Sequence, residues 1–240
     1  MYEHRFYRDF GKTDRWQAYR VQVESTDLYV RTRDNHAFWV QSLVRNIRAE
    51  LKAHIQRRPD FLDSMSPLQP VRRMHPVIAR MYRAGQLART GPMASVAGAV
   101  AEYVGRELLR RCEEVVVENG GDNFLKLKQP GVNTIFAGKS PFSGALGLRI
   151  EPEKTPLAVC TSSGTIGHSV SLGRVDAATI ISQDACLADA AATATANLVQ
   201  AEEDFPAGLD FALGIEGVLG AVLILGDKLA VQGDVELVRT

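Results

Sequence analysis

Apolar and polar positions alternate with period two in the centre of residues 18–33, at Tyr19, Val21 and Val23 and again at Leu28 and Val30. With Ser25-Thr26-Asp27 between the halves, this pattern predicts a β-hairpin. The period then changes. Across 37–58, Val40, Leu43, Val44, Ile47, Leu51 and Ile55 fall on one helical stripe, Asp34 or Asn35 is placed to cap its start, and Pro59 stops it. Residues 59–91 hold four prolines and several arginines and read as irregular chain, with a short helix over 75–87. A second long helix is expected to open at Thr90-Gly91-Pro92 and run to Arg111. It is slim, because Ala94, Ala97, Gly98, Ala99, Ala101 and Gly105 leave little side-chain bulk around the valines. A slim helix admits either a ligand or the backbone of a packed neighbour.

Strand patterns follow at 114–118 and 124–128, separated by the tight turn Asn119-Gly120-Gly121-Asp122, then at 133–137, 145–150 and 157–160. Residues 160–200 combine a Gly/Ser/Thr loop, a short apolar strand and an alanine-rich helix. A short helix over 205–215 and a hairpin over 217–232, turning at Gly226-Asp227, complete the chain. Paired strands interrupted by a few long helices predict an α+β fold with a largely antiparallel or mixed sheet and packed long helices, organised as one domain over 1–240.

Three stretches carry candidate chemistry. Asp189 and Thr193, spaced i,i+4, share one helix face and offer hard oxygen donors suited to Mg²⁺, which keeps waters and takes its other ligands from phosphates. A solvent-facing pair on an alanine-rich helix would have the same spacing. Thr161, Ser162, Ser163 and Gly164, at a strand end, offer hydroxyls and backbone N–H groups to an anion, or form a plain polar turn. His168 in the following loop has the chemistry of a general base or a ligand donor. In Asn119-Gly120-Gly121-Asp122 the paired glycines suit backbone approach to a ligand and equally an ordinary hairpin turn, and Glu118 just before them would be costly to bury unpaired. Cys160 invites a nucleophile role, but no second histidine is placed to activate it.

Composition narrows this picture. Lys+Arg and Asp+Glu number 28 each, so the formal net charge is zero, but residues 1–90 hold 17 basic and 9 acidic side chains against 11 and 19 in the remainder. With no nucleic-acid motif in the basic part, a solvated face or charge complementarity within the molecule is the first expectation, a second subunit or partner protein comes next, and nucleic acid is the least expected partner. Three widely spaced cysteines suit free thiols. The charged, aromatic start has no apolar core of a secretory signal, and no apolar run is long enough for a membrane span, so a cytoplasmic location without membrane attachment is expected. P-loop, nucleophile-elbow and dinucleotide-binding glycine motifs are absent.

In this order the pieces resemble the ApbE-like superfamily of Mg²⁺-dependent flavin transferases, which take FMN from FAD and attach it to a protein threonine. That family carries a small-residue helix, a strand ending in a Gly-Gly-Asp turn, a Thr-Ser-Gly loop followed by histidine, and an Ala-Asp-Ala-x-Ala-Thr-Ala helix. The matching stretches here are 91–105, Asn119 to Asp122, Thr161 to Gly164 with His168, and 188–194. The resemblance implies metal ligation by Asp189 and Thr193, flavin contact by Thr161, Ser162 and Gly164, and FAD or another flavin nucleotide as the phosphate-containing ligand. It also implies a protein acceptor or redox partner. It spans about residues 88–232 and is nearest to a compact branch of bacterial and archaeal proteins, for which a link to sulfur amino-acid or homocysteine formation has been suggested. The sequence departs from the transferases in the expected lack of a secretory start, in having no lysine in the slim helix, where Glu102 is the charged residue, and in a compressed loop between Gly164 and Val175.

Overall fold

In a computed structural model the chain is described over residues 15–164 and 173–240. Its strands are β1 Gln17–Val23, β2 Thr26–Thr32, β3 Val115–Asn119, β4 Asp122–Lys126, β5 Gly131–Thr134, β6 Leu146–Ile150, β7 Leu157–Ser162, β8 Ala177–Ser182, β9 Val218–Leu225, β10 Lys228–Gly233 and β11 Leu237–Arg239. Its helices are α1 Ala37–Arg57, α2 Asp60–Asp63, α3 Pro76–Ala88, α4 Val96–Leu108, α5 Ala185–Leu198 and α6 Phe205–Leu213. The fold is α+β, and every ladder among the described strands is antiparallel.

Eight strands form one sheet in the order β1-β2-β3-β4-β7-β8-β9-β10, which follows the chain except for β5 and β6. Those two join β11 in a separate three-stranded sheet. Alternation along each strand sorts the side chains between two cores. On one face Leu28, Val30, Val117, Phe124, Ala158, Cys160, Ile180 and Leu223 pack against the helices. On the other, Leu125, Leu157, Val159, Ile181, Val222 and Ile224 meet Ile135, Leu148 and Ile150 of the small-sheet region. α4 and α5 lie on the large sheet, and α3 packs across α5.

Local signals account for most of these boundaries. Asn35 Oδ1 accepts the Ala37 N–H at 2.9 Å at the start of α1. The opening hairpin turns at Glu24 and Ser25, one residue earlier than the sequence suggests, leaving Thr26 and Asp27 inside β2. Glu24 takes the left-handed φ of 53° there and its carboxylate is held by Arg48 and Lys52 of α1, which gives a non-glycine residue a reason to occupy the turn. The helix expected from 90 begins as a 3₁₀ turn, Pro92–Ser95, becomes α-helical at Val96 and ends at Leu108 rather than Arg111.

Candidate functional site

The β3-β4 hairpin turns on Gly120 (φ 73°) and Gly121 (φ 111°), a two-residue connection that needs positive φ at both positions. The strand period then decides which flanking side chains face the helices. Val115 and Val117 are in the helix-side core, so Asn119 shares their face and Glu118 takes the opposite one; Phe124 likewise brings Asp122 to the helix side. Asn119 Nδ2 donates to the Ala97 carbonyl at 3.0 Å, tying the turn to the first turn of α4. Glu118 Oε1 accepts the Gly120 N–H at 2.7 Å. On β7, Cys160 and Ser162 face the helices, whereas Thr161 faces the other way and shares a 2.9 Å hydroxyl contact with Thr179.

Asp189 reaches this place from α5. Its Oδ2 accepts the Gly98 N–H at 2.8 Å. Gly98 is the third residue of α4, whose first N–H groups have no partner within the helix. The residue before the helix, Ser95, does not cap it, because its hydroxyl donates to the Pro92 carbonyl at 2.7 Å. Asp189 therefore serves as the cap of α4 from a different helix, at the end where the helix dipole favours negative charge. The approach depends on glycine: a Cβ on Gly98 would stand 2.2 Å from the Ala185 carbonyl oxygen and 2.9 Å from the Asp189 Cβ.

Burial dominates the electrostatics. Asp189 is 8% exposed, and its pKa is pushed up to about 7 by desolvation, against the pull of the Gly98 and Ala97 backbone N–H groups. Asp122, 7% exposed, is raised well above the ordinary carboxylate range, first by burial and then by the charge of Asp189; the Cys160 thiol and the Thr161 backbone offset part of that. Burial thus disfavours the charged form of both carboxyls, and the Asp189 charge adds to that effect at Asp122. Among the described residues, Asp122 Oδ1 and the Ser162 hydroxyl are buried without a hydrogen-bond partner. Cys160 is fully buried and its thiol is pushed well up by burial and by the two carboxylates, the reverse of what a nucleophile needs.

The sequence-predicted residues thus separate. Asp122, Ser162 and Asp189 converge beneath α4 and α5, and Thr193, 8% exposed, is one turn along α5 from Asp189. Glu118 and Thr161 lie on the other face of the sheet. Gly164 commits its N–H to the Val175 carbonyl at 2.9 Å, and Ser163 beside it is only partly buried. His168 lies outside the described residues. Among the described residues no three His, Cys, Asp or Glu side chains converge as a metal cluster. A carboxylate and hydroxyl on one helix face still suit Mg²⁺ shared with a phosphate, and Asp122 Oδ1 and the Ser162 hydroxyl have no partner among the described residues.

Glu102, a departure from the family pattern, has a place in the structure that its sequence position does not announce. It is completely buried, with Oε2 accepting from Arg80 Nη2 at 2.5 Å and from the Ala185 N–H at 2.8 Å, and Oε1 accepting from Arg106 Nε at 2.5 Å. The available signal was a carboxylate four residues after Gly98 on a stripe of small apolar residues.

Residues 9–210 match the family described as AbpE bacteria. A UPF0280 protein of Methanocaldococcus jannaschii is 35% identical over 232 residues, covering 94% of each chain, and one from Methanocella arvoryzae is 42% identical over 191 residues, covering 79% of this chain and 78% of its own. Among solved structures, the apo flavinyl transferase ApbE of Pseudomonas stutzeri superposes with a TM-score of 0.61 at 15% identity, over 91% of this chain and 94% of that one. The flavin transferase ApbE of Vibrio cholerae gives 0.58 at 12% identity, over 91% and 96%. At such identities the likeness is one of fold.

Proposed function

Because the chain belongs to the family described as AbpE bacteria, we propose that it binds a flavin- or nucleotide-type phosphate ligand together with Mg²⁺, held by Asp189 and Thr193, and acts as a flavin or nucleotide transferase. The observation that carries this reading is the buried meeting of Asp189 with Asp122, whose Oδ1 has no partner among the described residues. A buried carboxyl pair that is only partly satisfied costs stability unless a cation or a ligand donor completes it. The solved structures of similar fold are of flavin transferases, which supports a flavin as the ligand.

Mg²⁺, when bound, supplies positive charge to phosphate oxygens. The chain's own residues do the rest. Asp189 and Thr193 present two oxygens from one rigid helix face, the Gly120-Gly121 turn lets the protein backbone approach a phosphate, and Ser162 offers a hydroxyl. In a transfer of FMN from FAD, an acceptor hydroxyl oxygen bonds to the flavin-side phosphorus, the pyrophosphate bond breaks, and AMP leaves. The acceptor proton passes to a base, the role assigned to His168. A cytoplasmic setting and a link to homocysteine formation belong to the same proposal.

A second reading, a non-catalytic binding or assembly protein, has one observation in its favour: Asp189 already has a structural task as the cap of α4. Equilibrium binding of FAD, FMN and ATP, with and without Mg²⁺, separates the two. Mg²⁺-dependent binding to the wild type that Asp189→Ala abolishes is the expected result; nucleotide binding indifferent to metal and to the substitution, or none at all, favours the second reading.

A further inference from the structure

α4 and α5 cap each other. The Gly98 N–H of α4 donates to Asp189 of α5, and the Ala185 N–H of α5 donates to Glu102 of α4, both at 2.8 Å. In each helix the donor and the carboxylate are four residues apart, 98 to 102 and 185 to 189, so each helix offers its partner an N-terminal amide and, one turn later, an acceptor. The two exchanges close around the contact of Gly98 with Ala185, where a Cβ would come within 2.2 Å of the carbonyl oxygen.

We propose that Glu102 is a positioning residue for Asp189: by holding the first turn of α5 it fixes where along α4 the Asp189 carboxylate lies. This rests on the reading of Asp189 as a ligand given above, and the reciprocal coupling itself stands without it. The anchoring of Glu102 fits the task. Arg80 of α3 bonds Glu102 and also forms a 3.0 Å ion pair with Asp184, the residue that caps α5 by accepting the Leu187 N–H at 3.1 Å. Arg106, one turn along α4, takes the other Glu102 oxygen. With both oxygens occupied and the side chain fully buried, Glu102 has no freedom to follow a shift of α5, so a displacement of either helix breaks both caps together.

Amide hydrogen exchange read at single residues tests the coupling without metal or ligand. In Glu102→Ala, exchange is expected to rise about tenfold or more at Ala185, which loses its acceptor, and by a similar factor at Gly98, whose N–H is bonded to Asp189 and not to the Glu102 carboxylate. Glu102→Gln keeps an acceptor for Ala185 and should hold both amides within about threefold of wild type. Asp189→Ala runs the test in reverse and should speed exchange at Ala185 as well as at Gly98, which keeps the inference testable should Glu102→Ala fail to fold. Effects confined to the amide that lost its own acceptor, or a Gln variant as exposed as the Ala variant, would overturn it. In the same variants Mn²⁺ binding, followed by electron paramagnetic resonance, should weaken at least tenfold in Glu102→Ala and recover in Glu102→Gln. Wild-type affinity in a folded Glu102→Ala protein would refute the positioning role. Failure of the wild type itself to bind Mn²⁺ would sink the metal reading, and the exchange data would still decide the coupling.

Discussion

At the scale of single residues, the carboxyl of Asp189 has two opposed demands. As the cap of α4 it is favoured by two backbone N–H groups and the helix dipole, yet burial beside Asp122 makes its charge expensive, and burial is the stronger effect. The sign for stability follows from linkage. A folded-state pKa of about 7 against an ordinary 3.8 means that between about pH 4 and pH 7 the unfolded chain releases a proton that the folded chain keeps. The contribution of this group to stability is therefore full below pH 4 and is lost across that window, by up to about 4 kcal/mol at 1.36 kcal/mol per pKa unit. Asp189→Asn keeps a side-chain oxygen for the Gly98 N–H and carries no charge. In metal-free buffer at pH 8 it is expected to melt at a higher temperature than the wild type, with a flatter profile of melting temperature against pH. A variant that melts lower at pH 8, or keeps the wild-type slope, would show that the buried charge is compensated. With Mg²⁺ and a nucleotide the order should invert, since only the wild type gains from the metal.

At the scale of elements, the crossing of α4 and α5 fixes the site, and it depends on a missing side chain. Adding a methyl group at Gly98 drives it into the Ala185 backbone rather than into a flexible side chain, so relief requires moving a helix. Overpacking of that kind costs about 1–3 kcal/mol. Gly98→Ala is thus expected to lower the melting temperature by several degrees despite the higher helix propensity of alanine, and to weaken Mg²⁺-dependent ligand binding with it; a rise in melting temperature would mean that the helices separate at little cost. The elements differ in how far the sequence announces them. The stripe from Val40 to Ile55, the Gly120-Gly121 turn and the interval between Asp189 and Thr193 are legible because each rests on local periodicity or backbone chemistry. The meeting of Asp122 with Asp189 is not, because it depends on β4 pairing with β7 and on α5 returning over both, contacts far apart in sequence. For the same reason alternation alone could not assign Glu118 and Thr161 to the face away from α5 until the pairing was known. The small sheet escaped as well: β5, β6 and β11 read as short strands or not at all, and only their mutual pairing separates them from the larger sheet.

At the scale of the whole molecule, one sheet serves two cores, and only one of them adjoins the candidate site. Leu148, 1% exposed, belongs to the core between the large and small sheets, while Asp122, Ser162 and Asp189 lie on the helix face. Because β4, β7, β8 and β9 contribute alternate residues to both cores, loss of either should unfold the other, and thermal unfolding should be a single transition with matching calorimetric and van't Hoff enthalpies. Truncating Leu148 to alanine removes buried side-chain volume at a cost of about 2–5 kcal/mol. The melting temperature of Leu148→Ala should fall well below that of the wild type in one cooperative step. Ligand affinity measured well below that transition should stay within about twofold of wild type, since Asp122, Ser162 and Asp189 lie on the opposite face of the large sheet from Leu148. Two resolved transitions would show that the small sheet folds as a unit of its own. A large affinity loss in the cold, fully folded variant would show instead that the far core sets the geometry of the helix face, and that the site is carried by the stacked sheets as well as by α4 and α5.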